Sequence, residues 1–309
     1  MDLFEAKNVS PMLIAEEASP FDDPAWRYEL KLDGERAIAY LGPEGTELRN
    51  KRNRRMLPVL PELDTLHRQV KNRVILDGEY IVLKNGKPDF YEIQRRSLMS
   101  NPLRIDLAAK RYPASFVAYD LLYLGGKDTT SLPLEERQAL LRRHVSDAER
   151  MSVSRVFDEG VKLFELTKAQ GLEGIVAKRL GSKYYMGKRT KDWIKCKNLL
   201  DDDFVVCGYI PKENNMTSVV LGQFRAGELM YKGHVTLGVG GDSFRRIRAL
   251  PRVDHPPFAV PSGNDNAVWV APELVCVVKY MMKTRSGGMR QPVFKGLRDD
   301  KQPEECMEH

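Results

Sequence analysis

Residues 26 to 41 contain the run Tyr28-Glu29-Leu30-Lys31-Leu32-Asp33-Gly34-Glu35-Arg36. Tyr28, Leu30 and Leu32 alternate with Glu29, Lys31, Asp33 and Glu35, a period of two that places each set on its own face of an extended chain. The spacing predicts one strand over 26–41, with Lys31 turned away from the apolar side into whatever cleft the strand borders. Working outward, further strands are expected over 74–83, 116–123, 173–178 and 192–197. Helices are expected from Pro133, carrying Leu134, Leu140 and Leu141, and from about Asp158 to a Gly171 stop, burying Val161, Phe164 and Leu166.

After Asn198 the pattern changes to short strands with glycine turns, over 203–210, 218–224, 228–237 and 268–280, with Arg225-Ala226-Gly227 as a hairpin connection. A short helix is expected over 242–250, and 254–267, rich in Pro, Gly, Asn and Asp, reads as a loop. Four or five strands in this stretch suit a small barrel of the oligonucleotide-binding (OB) type. The expected architecture is an α+β domain over 1–199 followed by an all-β OB-fold barrel over 200–309, in keeping with a 309-residue chain exceeding one core.

With 42% hydrophobic and 30% charged residues and no apolar run long enough to span a bilayer, the composition is that of a globular chain outside the membrane. The start, Met1-Asp2-Leu3-Phe4-Glu5, lacks a basic then apolar leader, so a cytoplasmic protein is expected. Cys196, Cys207, Cys276 and Cys306 are scattered, which points to reduced thiols rather than disulfides or zinc. The net charge of +6 is modest, but cations cluster at 49–55 (Arg-Asn-Lys-Arg-Asn-Arg-Arg) and at Lys183, Lys188, Arg189 and Lys191. Each cluster reads either as a solvated loop or as a phosphate-binding surface.

Four islands carry chemistry. Lys31 with Asp33 and Gly34 offers a nucleophile, which a neutral lysine becomes once its proton is lost. In Asp192-Trp193-Ile194-Lys195-Cys196-Lys197, Lys195 and Lys197 share a face opposite Ile194 and Cys196, suiting a phosphate chain and the tuning of a neighbouring lysine. A solvated strand with a lysine face has the same pattern. Asp77 and Glu79 share a face across Gly78, suiting ribose hydroxyls or Mg²⁺, although Asp-Gly is also a common turn. Glu173 opens an apolar strand ending at Lys178, as a simple edge charge also would.

Lys31-x-Asp33-Gly34-x-Arg36, Leu76-Asp77-Gly78-Glu79, Phe116-Val117-Ala118-Tyr119-Asp120, Glu173-Gly174-Ile175-Val176-Ala177-Lys178 and Trp193-Ile194-Lys195-Cys196-Lys197 resemble motifs I, III, IIIa, IV and V of the covalent nucleotidyltransferases. Phe294-Lys295-Gly296-Leu297-Arg298-Asp299-Asp300-Lys301 resembles motif VI of the DNA ligases. Together with Pro11-Met12-Leu13 and Trp269-Val270-Ala271-Pro272-Glu273-Leu274-Val275, it is similar to the ligase domain of bacterial ligase D and to standalone end-joining ligases. The resemblance covers about residues 10 to 304.

The resemblance implies that Lys31 attacks the α-phosphate of ATP and carries AMP, with Asp33 organising its surroundings and Glu29 helping to read adenine. Tyr119 would stack on the base, Arg36 and Glu79 would meet the ribose and its surroundings, and Lys178 would lie near the nucleotide. Glu173, with Glu79, would hold Mg²⁺ or Mn²⁺, and Lys195 and Lys197 would bind phosphate. Arg298 and Lys301 of motif VI would swing over the ATP and orient its pyrophosphate. Where many ligases have Ser-Arg-Asn-Gly, this chain has Asn50-Lys51-Arg52-Asn53, so either Lys51 or Arg52 would meet the 5′ phosphate. Arg54, Arg55, Lys188 and Arg189 complete the expected DNA contacts.

The implied activity is sealing of 5′-phosphate, 3′-hydroxyl breaks in duplex DNA, in repair by non-homologous end joining, by a monomer with Ku and a repair polymerase as partners. With about 30 residues before Lys31, no extra amino-terminal DNA-binding domain is expected. An RNA ligase or capping-type nucleotidyltransferase, distinguished by nucleotide choice, and a silent nucleic-acid-binding scaffold, distinguished by labelled-ATP transfer, are the alternatives.

Overall fold

A computed structural model describes residues 2–259, 262–284 and 287–308. The chain divides into two compact units, Met1–Asn198 and Leu199–His309. The principal strands of the first are β1 (Leu13–Glu17), β2 (Trp26–Leu30), β3 (Glu35–Gly42), β4 (Gly45–Asn50), β5 (Val74–Lys84), β6 (Ala114–Leu124), β7 (Gly174–Arg179) and β8 (Arg189–Lys197). Helices α1 (Phe90–Ser97), α2 (Pro102–Arg111), α3 (Leu134–His144) and α4 (Gly160–Ala169) connect and flank them.

The strands form two sheets. One has the order β1-β8-β7-β2, with β1 and β8 parallel and the remaining pairs antiparallel. The other is seven-stranded, with β4-β3-β5-β6 as its main path. The expected single strand over 26–41 is therefore two strands in different sheets, broken at Lys31–Gly34. The alternation runs on through the break because Leu30 and Leu32 continue it on either side of Lys31. Sterics explain the glycine: a Cβ on Gly34 would lie 2.3 Å from the Tyr80 carbonyl oxygen.

Both faces of β3 are covered. Ala37, Ala39 and Leu41 join Leu76, Phe116, Leu63 and Ile93 in one core. Ile38 and Tyr40 join Ile75, Leu122, Tyr184 and Trp193 in another, with Ile14 and Val176 of the first sheet packed against it. The outer face of the first sheet buries Tyr28, Ile175, Ala177, Ile194 and Cys196 with Leu163 of α4. Helix α3 begins after Pro133 and buries Leu134 and Leu141, as expected. Helix α4 differs: Gly160, Leu163 and Thr167 face inward, whereas Val161 and Leu166 are exposed. Its inward stripe follows small residues that let it lie close; a Cβ on Gly160 would meet the Phe21 carbonyl at 2.4 Å.

The second unit holds β9 (Leu200–Pro211), β10 (Met216–Arg225), β11 (Glu228–Gly238), helix α5 (Asp242–Ala249), β12 (Val268–Trp269), β13 (Val275–Tyr280) and β14 (Val293–Arg298). Its sheet runs β11-β10-β9-β13-β14, with β12 beside β9. The ends β11 and β14 approach one another, as a sheet curling into a barrel requires. Phe204, Val206, Leu221, Val235, Ile247 and Val278 fill the interior. Ala226 and Gly227 both take positive φ in the β10–β11 hairpin, the geometry of a primed turn. Two expectations are corrected here. The strand over 268–280 is two strands, parted by 270–274, and β14 is an additional strand running into motif VI. All four cysteines are free and buried. No helix among the described residues is long and apolar enough to cross a membrane.

Candidate active site

Lys31 sits at the crossover from β2 to β3, its backbone amide donating to the Gly174 carbonyl at 2.9 Å. Its Nζ lies 2.8 Å from Glu173 Oε1, and Glu173 is almost fully buried. The nucleophile candidate is thus held by the residue preceding β7. It opens onto a cavity of about 280 Å³ between the sheets, lined by Leu13, Ile14, Glu29, Leu30, Lys31, Leu32, Arg36, Lys51, Glu79, Tyr119, Val176, Lys178 and Trp193.

The inner wall is an ion-paired aromatic box. Lys178 Nζ is 2.7 Å from Glu29 Oε1, both side chains being buried, and donates to the Tyr119 carbonyl at 3.2 Å. The same ammonium lies 4.6 Å from the centroid of Tyr119 and 4.3 Å from that of Trp193. Gln138 of α3 donates to Glu29 Oε1 at 2.8 Å, so that oxygen accepts from both Lys178 and Gln138. Such a buried pair costs desolvation, which its hydrogen bonds offset only while the geometry is kept.

Arg36 lines the cavity but is fully engaged. Its Nε and Nη2 donate to Asp77 at 2.9 and 2.5 Å, its Nη1 to the Met12 carbonyl at 2.6 Å, and Tyr184 also donates to Asp77 at 2.7 Å. Burial alone would disfavour the guanidinium charge, and Asp77 more than restores it, raising the Arg36 pKa. Asp77 is wholly buried. This corrects the reading of Asp77 and Glu79 as an available pair of carboxylates: Asp77 anchors Arg36, and Glu79 alone faces the cavity. Burial pushes the Glu79 carboxyl up to about 8, with Lys31 and Arg36 opposing and the charges of Glu173 and Asp77 adding to it.

The pleat places the two lysines of β8. Glu29, Val176, Lys195 and Glu17 stand opposite one another across the four strands, so Lys195 shares the cavity face with Glu29 and Val176. Lys195 and Lys197 lie 3.5 and 3.1 Å from the same Glu17 oxygen. Ile194 and Cys196 lie in the opposite core, as the alternation predicts. Trp193 shares the lysine face by the same period of two, which was the sequence signal for a residue not singled out there. Gln138 and Glu17 carried no comparable signal.

Residues 50–54 form a tight turn. Asn50 Oδ1 accepts from the amides of Arg52 and Arg54 at 3.0 and 3.1 Å, and Asn53 takes positive φ. Asn50 is itself tied to Glu35 at 2.9 Å, and Glu35 to Ser97 at 2.7 Å. Of the cations at 49–55, Lys51 reaches the cavity mouth, while Arg52, Arg54 and Arg55 are exposed on the turn. Lys188 is exposed, and Arg189, which begins β8, spends Nη1 on the Ile14 carbonyl at 2.6 Å. In the second unit, Arg298 and Lys301 meet at Asp203. Among the described residues no three His, Cys, Asp or Glu side chains form a preformed cation cage. A pair of carboxylates, Glu173 and Glu79, fits a hard cation that takes its other ligands from phosphate and water.

Two family models match this chain: the ATP dependent DNA ligase domain over residues 6–197 and the ATP dependent DNA ligase C terminal region over 212–301. The multifunctional non-homologous end joining protein LigD of Pseudomonas aeruginosa is 34% identical over 96% of this chain and 36% of its own length. The SPbeta prophage-derived DNA ligase-like protein LigB of Bacillus subtilis is 28% identical over 94% of this chain and 99% of its own. This chain spans 36 to 49% of the length of the LigD proteins it matches. The ligase domain of Mycobacterium tuberculosis LigD superposes with a TM-score of 0.57 at 27% identity, covering 98% of this chain and 99% of that one. These matches favour the DNA ligase family over the RNA ligase and capping-enzyme alternatives. The chain belongs to the ATP-dependent DNA ligase family, with that family's nucleotidyltransferase domain followed by an OB-fold domain.

Proposed function

We propose that this chain seals 5′-phosphate, 3′-hydroxyl breaks in duplex DNA, in three steps through a lysyl-AMP intermediate. The observation that carries this reading is Lys31 Nζ, 2.8 Å from Glu173, at the opening of a cavity walled by Glu29, Tyr119, Lys178 and Trp193. In the first step Lys31, after losing its proton, attacks the α-phosphorus of ATP. A P–N bond forms, the bond to the bridging oxygen breaks, and pyrophosphate leaves. The AMP then passes to the DNA 5′ phosphate, and the 3′ hydroxyl displaces it.

The residues divide this work. Tyr119, in edge contact with Trp193, stacks on the base, Glu29 helps to read its edge, and Lys178 lies near the nucleotide. Arg36 and Glu79 face the ribose, and Asp33 shapes the Lys31 turn. Lys195 and Lys197 exchange Glu17 for phosphate oxygens. Glu173 and Glu79 would hold Mg²⁺ or Mn²⁺, which when bound would supply positive charge against the phosphoryl oxygens. Arg298 and Lys301 meet the leaving pyrophosphate. Lys51, rather than Arg52, takes the 5′ phosphate, because it alone of that turn borders the cavity. Arg52, Arg54, Arg55, Lys188 and Arg189 grip the duplex backbone.

We place the functional boundary at 199/200, and assign the chain to non-homologous end joining as a cytoplasmic, nucleoid-associated monomer working with Ku and a repair polymerase. The similarity to LigD proteins supports this assignment. The test is incubation with labelled ATP and Mg²⁺ or Mn²⁺, followed by denaturing electrophoresis and a nicked-duplex assay. Label retained on the protein and chased into sealed DNA is expected; label transfer without sealing would refute the ligase reading.

A further inference from the structure

The two motif VI cations are not independent in the OB-fold unit. Arg298 Nη1 and Lys301 Nζ both donate to Asp203 Oδ2, at 2.9 and 2.6 Å. Asp203 is largely buried, its side chain 14% exposed. The remaining face of the guanidinium is taken by Asp300 at 3.0 and 2.6 Å, but Asp300 is 70% exposed. One carboxylate is therefore built into the fold, and the other is a surface partner that an incoming anion can displace.

The sheet explains the reach. Asp203 stands opposite Val277, and Arg298 opposite Val275, so both point from the same face across β13. Gly296, opposite Val277 on β14, presents no side chain there, and a Cβ at that position would have open space around it. Arg298 and Lys301 border a recess of about 510 Å³ that Asp201, Asp202, Asp203, Gln223, Val277 and Glu305 also line. Gln223 Nε2 donates to the Asp203 carbonyl at 3.0 Å, which fixes the backbone that carries the carboxylate. The hydrogen bond to Asp203 also raises the pKa of Lys301, keeping it charged.

We propose that Asp203 is a positioning residue for the first step, holding Arg298 and Lys301 side by side so that both meet the pyrophosphate of ATP, while Asp300 yields to it. Two cations a few ångströms apart repel, and a shared buried carboxylate is the physical means of keeping them together. Preorganised charge of this kind acts on the leaving group without reorganisation at the moment of reaction. The inference rests on the proposed role of Arg298 and Lys301 in self-adenylation.

The test measures self-adenylation and the sealing of a pre-adenylated nick in Asp203→Asn, Asp203→Glu, Arg298→Ala and the Asp203→Asn/Arg298→Ala double variant of the full chain. Asp203→Asn is expected to lower the adenylation rate at saturating ATP by roughly tenfold or more, the scale of one lost charged contact in a transition state, with KM for ATP nearly unchanged. Asp203→Glu should recover part of the rate, and the double variant should be no worse than Arg298→Ala. Sealing of the pre-adenylated nick should stay within about twofold. Equal loss of both activities in Asp203→Asn would mean a structural role and overturn the proposal. So would normal adenylation in Asp203→Asn beside a crippled Arg298→Ala. Normal adenylation in Arg298→Ala would instead remove the underlying motif VI reading.

Discussion

Glu79→Gln should change how stability depends on pH, in a direction fixed by the site. Burial drives the Glu79 carboxyl from its ordinary 4.5 up to about 8. A raised carboxyl pKa means that the folded state binds a proton the unfolded state has released. Its contribution to stability is complete below pH 4.5 and is lost as pH rises through 8. The interval between those values, at about 1.4 kcal/mol per pH unit, sets a ceiling of about 5 kcal/mol. Partial exposure halves that, leaving about 1 kcal/mol lost between pH 6 and 8. Glutamine carries no proton to lose and fills the same volume. Thermal unfolding at a series of pH values should show the wild-type melting temperature falling by about 2–4 °C relative to Glu79→Gln across that range. Parallel curves would refute the argument, because they would mean that Glu79 is solvated enough to stay charged beside Lys31.

Lys31→Ala should abolish covalent AMP attachment while leaving partial sealing of a pre-adenylated nick, read on denaturing gels; wild-type labelling of the mutant would remove the assignment. Asp120→Asn should cost about 3–5 kcal/mol in urea unfolding, since Asp120 and Arg137 are both wholly buried and paired at 2.8 Å; a loss under about 1 kcal/mol would mean the pair is not what fixes α3. Replacing Lys51, Arg52, Arg54 and Arg55 together by alanine should flatten the salt dependence of DNA binding and impair sealing. An unchanged slope in titrations would move the duplex path elsewhere.

Much of the site was legible because a β-strand displays its chemistry at a fixed period. Lys195 and Lys197 opposite Ile194 and Cys196 could be read directly, and the same rule would have added Trp193. The break at Lys31 could not be read, since Leu30 and Leu32 continue the alternation while the chain passes from one sheet to the other. Pairings between distant segments left no local trace: Glu29 with Gln138 and Lys178, Asp77 with Arg36 and Tyr184, and Asp203 with Arg298 and Lys301. Sequence gives a carboxylate's face but not its customer, which is why Asp77 read as available when it was already spent. The inward stripe of α4 was missed for a related reason, because close approach there depends on Gly160 rather than on the larger apolar residues.

The single Glu17 oxygen shared by Lys195 and Lys197 has a bearing on which anions the protein notices. An ion arriving at those lysines competes with a tethered carboxylate, not with loose water. Chloride or a lone phosphate brings little more than it evicts, whereas a polyphosphate that also touches Lys31 and the base-binding wall gains at several points at once. On the proposed phosphate-binding role of Lys195 and Lys197, Glu17 would set a selectivity threshold against the small anions that crowd a cell. Removing it, in Glu17→Gln, is expected to make inorganic phosphate and pyrophosphate stronger competitors of ATP in the self-adenylation assay. Unchanged inhibition by both would show that the carboxylate is only a bystander to anion traffic.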